Sequence, residues 1–409
     1  MKVFTKSPDN PWLVSIVAAL GYLVDVYDLV LFSVLRQPSL VDLGLSPEAL
    51  LNEGVALLNI QMAGMLIGGI LWGLIGDRLG RKGVLFGSIA CYSISNLANA
   101  FITSTTQYAV LRFVAGIGLA GELGAGTTLA VESLPPRLRG YGTTLIATVG
   151  VLGAVAAALV AGFVPWRYAY AIGGALGLAL LLARIGVHES DLFTTMGNEH
   201  RSTRKALGLL LCPKRLWRIL CCVLIGVPTW FAIGVLITFA PELSITMGIE
   251  SGVQARQAVL YTYLGLTAGD LLSGLLSQAL QSRKKVMVLF ICLGAVASGA
   301  YLFLVETASQ LYLCASLIGV CMGYWAVLVT SSAEQFGTNL RATVATSVPN
   351  FIRAAVIPLS FAVLYLKSDL GFSLRESAAI VGSACFGLAI LGLSQIRETF
   401  GVSVDFIEE

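Results

Sequence analysis

Apolar residues run along this chain in blocks of about 20, separated by short polar segments, and that length is what a helix needs to cross roughly 30 Å of hydrocarbon. Twelve blocks qualify: 11–35, 54–76, 83–102, 107–132, 141–162, 166–186, 216–243, 255–280, 285–304, 309–331, 341–366 and 374–396. They lack the alternating pattern of a membrane β-barrel. The longest polar interruption, "VHESDLFTTMGNEHRSTRKALGLLLCPKR", divides them six and six. The pattern therefore predicts an all-α integral membrane protein with a six-helix bundle over 1–186, a cytoplasmic linker loop over 187–215 and a second six-helix bundle over 216–409. The first block has no small-residue cleavage site after its apolar core, so it is expected to stay as a span rather than leave as a signal peptide.

Composition agrees. Hydrophobic residues make up 56% of the chain and charged residues 12%, with a mean hydropathy of +0.84, whereas soluble domains carry about 25% charged residues. The eight cysteines lie mostly within apolar helices without paired spacing and read as small hydrophobes. The two histidines, His188 and His200, share one polar loop, which argues against a His-based metal site. No cofactor, metal or nucleic acid is expected; the expected partners are the lipid bilayer, protons and a small-molecule substrate, with the chain acting as a monomer. Of the 26 lysines and arginines, 19 fall on the side that holds the N-terminus and five on the other, Arg36, Arg167, Arg256, Lys367 and Arg375. Positive charge marks the cytoplasmic side, so both termini are expected inside. The chain's size and its lack of glycosylation-rich loops point to a bacterial inner membrane.

The two halves echo each other. "VESLPPRLRGYGTT" after the fourth span aligns with "AEQFGTNLRATVAT" after the tenth, matching Glu132 with Glu334 and Arg139 with Arg341 at an offset of 202 residues. "GLIGDRLGRK" after the second span has a worn counterpart, "GLLSQALQSRK", after the eighth, at an offset of 201. Duplicated six-helix halves are one of the transporter plans.

"GLIGDRLGRK", Gly73 to Lys82, joins glycines suited to close packing and a tight turn (Gly73, Gly80) to a charge cluster, Asp77, Arg78, Arg81 and Lys82, able to pair across an inner gate. It resembles the signature G-x-x-x-D-R-x-G-R-K/R between spans two and three of the major facilitator superfamily. "LRFVAGIGLAGELGAGTTLAVESLPPRLRG", Leu111 to Gly140, is similar to the fourth span and following loop of metabolite:proton symporters, and "HESDLF" resembles their E-S-P-x-F, with Asp191 in place of proline. The resemblance implies two pseudo-repeated six-helix bundles around a central cavity. It also implies an inner gate made by the signature residues with Glu132, Arg139, Asp270, Glu334 and Arg341. Gly116, Gly118 and Gly121 also spell G-x-G-x-x-G, but a dinucleotide site needs a strand before it and a soluble βαβ unit around it. Packing against a neighbouring helix is the expected use of these glycines.

Charges inside the spans carry the chemistry, because a carboxylate at mid-bilayer costs about 2.5–3.5 kcal/mol on insertion scales. "GYLVDVYDLVLF" places Asp25 and Asp28 on one helix face, with Tyr22 a turn earlier. Asp28 and Arg112 lie at similar depths and are expected to pair. Several sugar:proton symporters of the superfamily look similar in pairing a span-one carboxylate with a span-four arginine, which implies proton coupling by Asp28 and Arg112, with Asp25 and Glu122 as competing proton carriers. In the second half Arg353 lies mid-span in "TSVPNFIRAAVIP", where it either meets a substrate carboxylate, the preferred reading, or pairs with Asp270. Pro349 and Asn350 beside it predict an interrupted helix. Asn350, Trp230, Tyr324, Trp325, Asn59 and Gln61 join Tyr22 as candidate cavity residues. The predicted function is proton-coupled uptake of a small organic acid by alternating access, and no enzyme activity. Efflux fits less well because span five, "GTTLIATVGVLGAVAAALVAGF", has no proline where antiporters end in G-P-x-x-G-G. Tyr27-Asp28 and Gly269-Asp270 resemble the motifs of intramembrane aspartyl proteases, but Thr267 replaces the first glycine and the aspartates lie in opposite halves.

Overall fold

The computed structural model describes residues 11–122, 139–183, 212–249 and 252–401, with backbone alone for 11–15, 73–74, 76–82, 139–144, 183, 338–339 and 342. Among these residues every regular element is a helix. The first half holds α1 (Pro11–Asp42), α2 (Ala49–Asn99), α3 (Thr105–Leu119), α4 (Arg139–Phe163) and α5 (Trp166–Ala183). The second half opens with α6 (Pro213–Phe231), a π-helical turn (Ala232–Ile237) and α7 (Ala240–Thr246). It continues with α8 (Ala255–Ala279), α9 (Arg283–Phe303), α10 (Ala308–Met322), α11 (Trp325–Glu334), α12 (Thr338–Ala354), α13 (Val356–Ser368) and α14 (Leu374–Gln395). Nine stretches among the described residues are long and apolar enough to cross a membrane. Leu182, Leu275, Val296 and Leu391 are exposed on the outside of the bundle while Asp25, Arg112 and Arg353 are buried within it. That inversion is what a hydrocarbon solvent selects.

The expected turn between spans two and three takes an unexpected form: α2 is assigned as one helix of 51 residues. A straight helix of that length would reach about 76 Å. Instead the Trp72 ring lies against Gly87, residues that a straight helix would hold about 22 Å apart. The two arms of α2 therefore lie side by side, and the backbone of 73–82 reverses the chain in helical conformation. The side chains of Asp77, Arg78, Arg81 and Lys82, like that of Arg139, fall outside the described residues. So does the whole of 123–138, Glu132 included, and nearly all of the 187–215 loop.

Small residues bring the helices together. A Cβ on Gly116 would collide with the Gln61 carbonyl oxygen, one on Gly118 with Tyr92, and one on Gly121 with Ser88 and Trp72. The G-x-G-x-x-G run is thus a packing surface gripping both arms of α2. Gly64 and Gly68 return the contact against Phe113 and Ile117. The second half repeats it: Gly265 meets Ser316, Gly269 meets Val320, and Gly319 meets the Thr262 carbonyl oxygen. Gly64 and Gly265 are 201 residues apart, Gly116 and Gly319 203, so the duplication read from the loops extends to helix packing. Gly116→Ala and Gly319→Ala are each expected to destabilise the protein by at least the roughly 1–3 kcal/mol typical of overpacking, because rigid backbone is what a new methyl would meet. A fall in the melting midpoint of the purified protein in detergent checks this; an unchanged midpoint would refute it.

Two helices break at mid-bundle. The tenth span stops at Gly323–Tyr324, between α10 and α11, and the eleventh kinks at Ala355, between α12 and α13. Pro358, four residues after Ala354, lacks the N–H that would bond the Ala354 carbonyl, which explains the second break. Sequence placed this interruption at Pro349 and Asn350; the structure puts it a turn or more later.

Candidate functional site

Each break in the second half supplies a helix end to a buried charge. Arg353 stands in the last turn of α12, where the helix dipole favours a cation. Asp270, on α8, accepts a hydrogen bond from the Ala326 N–H at 3.2 Å, so it caps the first turn of α11, where the dipole favours an anion. Asp270 does not pair with Arg353; one of its carboxylate oxygens is engaged instead by a freed N–H group of the broken tenth span. Arg353 is 2% exposed and, among the described residues, has no ion-pair partner. Its one side-chain hydrogen bond, Nη1 to Asn350 Oδ1, is long at 3.5 Å, and its Nε has none. The guanidinium lies 5.9 Å from the Trp230 ring centroid.

Tyr22 of α1 closes this site from the first half. Its hydroxyl lies beside the Trp325 side chain and within electrostatic reach of Arg353, Asp25 and Asp270, and Tyr263 of α8 lies near both Tyr22 and Arg353. Tyr22 fits because Gly150 of α4 carries no side chain where the ring packs. Trp230 sits just before the π-helical turn that follows Pro228; such insertions recur at functional sites. The structure thus gathers Tyr22, Trp230, Trp325, Asn350 and Arg353 into one place. Asn350 also donates to the Ala120 carbonyl at 3.1 Å, across the two halves. Tyr324 is spent elsewhere, donating to the Ile225 carbonyl at 2.7 Å.

A second polar cluster lies wholly within the first half. Asp28 and Arg112 are both fully buried, with Arg112 the positive charge that acts on Asp28. They do not form the expected ion pair: Arg112 Nη2 instead donates to Asn96 Oδ1 at 2.5 Å, and neither Asp28 oxygen has a hydrogen bond. The guanidinium lies 4.8 Å from the Tyr170 ring centroid and 5.9 Å from that of Tyr108, and these two hydroxyls hydrogen-bond at 2.5 Å. Gly173 of α5 makes room for the Asp28 carboxylate. Glu122 is buried just beyond the end of α3.

The model of the Major Facilitator Superfamily matches residues 18–355. The chain belongs to the major facilitator superfamily. It is a membrane transporter and not an enzyme, and its helices take the superfamily's fold. It is 28% identical over 360 residues to the niacin transporter of Acinetobacter baylyi, covering 80% of each chain. It is also 28% identical over 286 residues to the 3-(3-hydroxy-phenyl)propionate transporter of Escherichia coli, covering 68% of this chain and 69% of the relative. Among solved structures it shares the fold of a D-xylose-proton symporter, with a TM-score of 0.75 at 18% identity over 96% of this chain and 99% of the other.

In this major facilitator chain the sequence reading missed a third feature, at the end of the bundle where α1 stops. Arg36, counted there among the loop charges, is fully buried. Its Nη2 donates to both carboxylate oxygens of Glu242 on α7, at 2.6 and 2.7 Å, and to the Thr238 carbonyl at 3.3 Å. Nη1 donates to the Leu50 carbonyl at 3.1 Å, and the guanidinium stacks 4.5 Å from the Phe239 centroid. Gln37 also donates to Glu242, and Thr238 Oγ1 donates to Ser33 at 3.0 Å. Ser360 of α13 donates to Asn59 at 2.8 Å, so Asn59 joins the halves at this end. Gln61 donates to the Leu29 carbonyl at 3.4 Å and ties α2 to α1. These contacts tie the two halves together at one end of the bundle. The available signal was an arginine closing span one and a glutamate closing span seven, matching spans of the two halves.

Of the expected gate residues, Glu334 forms a bidentate pair with Arg283 Nε and Nη2, at 2.6 and 2.7 Å. Arg341 is half-buried near the start of α12, its N–H bonded to the Gly337 carbonyl.

Proposed function

We propose that this transporter imports a small aromatic carboxylate together with protons, by alternating access across the bacterial inner membrane. The observation that carries the reading is Arg353, a buried guanidinium with no counter-ion among the described residues, set among Trp230, Trp325, Tyr22 and Tyr263. An unpaired intramembrane cation calls for an anion, a planar guanidinium fork suits a carboxylate, and the rings suit an aromatic body. Relatives named for niacin and for 3-(3-hydroxy-phenyl)propionate support the same substrate class.

Proton coupling rests on Asp28. With the Arg36 end open, Asp28 takes a proton and its attraction for Arg112 falls; loaded with the acid, the halves rock to the other side, where the proton leaves. The Lys and Arg distribution favours both termini and the signature loop in the cytoplasm and the Arg36–Glu242 end outside. One chain holds both clusters, so a monomer suffices.

The test is substrate-driven acidification of proteoliposomes holding a pH dye, with nicotinate, benzoate, gentisate, succinate, alanine and xylose added outside. Aromatic carboxylates are expected to acidify the lumen with the wild type and not with Asp28→Asn. Acidification retained in the variant would move the proton to Asp25 or Glu122. Accumulation of solute without proton movement would end the symport reading.

A further inference from the structure

Asn96 enters neither the signature motifs nor the charges that the spans display, yet it occupies the space between the two groups on which coupling depends. It lies on the second arm of α2, fully buried. Its Oδ1 holds Arg112 Nη2 at 2.5 Å, the one hydrogen bond that guanidinium makes. Its amide lies beside Asp28, while Asn96 Nδ2, both Asp28 oxygens and Arg112 Nε and Nη1 have no hydrogen bond. Buried polar atoms are hydrogen-bonded in the great majority of cases. Five unbonded polar atoms around one short contact leave a second arrangement open to the cluster, in which Arg112 meets Asp28.

We propose that Asn96 is the positioning residue of the proton site: by accepting from Arg112 it keeps the guanidinium off Asp28 and so holds the carboxylate ready to bind a proton. This rests on the proton-coupled reading above, but its test does not require transport. The charged and titratable groups facing Asp28 are Arg112 from α3, Tyr170 from α5 and Tyr27 from its own helix. Tyr27 is engaged with the Ala169 carbonyl at 3.0 Å and Tyr170 with Tyr108. Asp25 lies a turn before on α1, toward Tyr22; α4 meets this part of α1 through Gly150 and Gly153, which carry no charge. Arg112 is thus the cation whose distance from Asp28 can change the proton affinity of the carboxylate, and Asn96 sets the position of Arg112.

The sign follows. Removing Asn96 takes away its amide beside Asp28, which favours the ionised carboxylate, but it also frees Arg112 to pair with Asp28. A full charge in direct contact outweighs a neutral donor, and a close cation weakens the hold on a proton by about ten- to a thousand-fold. In Asn96→Asp, by contrast, the new carboxylate retains Arg112 and adds a like charge beside Asp28, which raises the proton affinity of Asp28. Two variants at one position therefore push in opposite directions.

The experiment is a pH titration of the protonated-carboxyl infrared band in proteoliposomes of the full chain. Asp28→Asn assigns the band, and Asn96→Asp combined with Asp28→Asn accounts for the added carboxyl. Expected is a midpoint lower by at least about one pH unit in Asn96→Ala, a tenfold loss of proton affinity, and a higher one in Asn96→Asp. Asn96→Ser, which keeps a short acceptor, should lie between Ala and wild type; it also serves if Ala fails to fold. An unmoved midpoint, or the same direction in Ala and Asp, overturns the proposal. The expected infrared shifts in the Asn96 variants, together with no substrate-driven acidification by wild-type liposomes, would instead overturn the transport reading and leave the role of Asn96 standing.

Discussion

Arg353→Gln should abolish measurable binding of aromatic carboxylates, and Arg353→Lys should not restore it. Truncating one side of a buried, hydrogen-bonded charge pair costs about 2–5 kcal/mol, so the dissociation constant for nicotinate is expected to rise by about 30-fold to several thousand-fold. Lysine keeps the charge but offers a point where the carboxylate needs a planar fork, and it loses the stacking toward Trp230. Isothermal titration of purified protein reads the change directly. Nicotinamide, which presents no charge, serves as the control: a loss that is equal for the acid and the amide would mean that Arg353 supports the fold of the site rather than the anion.

Glu242→Gln is expected to unlatch the Arg36 end. The variant leaves a fully buried guanidinium without its counter-ion, and breaking one partner of such a pair costs about 3–5 kcal/mol, about a hundred-fold to several thousand-fold in the closed-to-open ratio. Hydration of Arg36 relieves that cost only if α1 and α7 part. Hydrogen exchange at the amides from Thr238 to Thr246 should therefore quicken in Glu242→Gln. In the Arg36→Glu, Glu242→Arg double variant it should slow again, in part, because the carbonyls of Leu50 and Thr238 that receive Arg36 stay where they are. Exchange that stays at the wild-type rate in Glu242→Gln would show that apolar packing alone keeps this end shut.

The architecture was legible in the sequence because two strong signals coincide there: span-length apolar blocks, and glycines spaced to let helices touch. The central cluster was legible in part. Arg353, Trp230, Trp325, Asn350 and Tyr22 could be picked out because a charge or an aromatic at mid-span is conspicuous. Tyr263 escaped because one tyrosine among the many on these helices has no such contrast. The capping contact of Asp270 was not legible for a specific reason: an acid deep in a span reads as a partner for a cation, while the freed N–H groups of a helix broken at Gly323–Tyr324 are invisible until the break is seen. The Asp28–Arg112 pairing was inferred from depth alone, and depth cannot show that a neutral amide from a third helix stands between two charges. Arg36 was hidden by the rule that orients the protein, since counting a positive charge at a span end as a loop residue removes it from consideration as a buried one.

The separation of Asp28 from Arg353 has a thermodynamic consequence. Asp28 and Arg112 sit inside one bundle among α1, α2, α3 and α5, whereas Arg353 belongs to the other, so in the proposed scheme proton and acid do not compete for a common group and can be aboard together. Their influence on each other is then a linkage free energy, and linkage is reciprocal. Whatever factor protonation of Asp28 adds to the affinity for the acid, the bound acid must add to the affinity of Asp28 for its proton. A tenfold effect in one direction is one pH unit in the other, so the coupling strength of the transporter can be read at equilibrium, from a titration, without moving a single solute across the membrane.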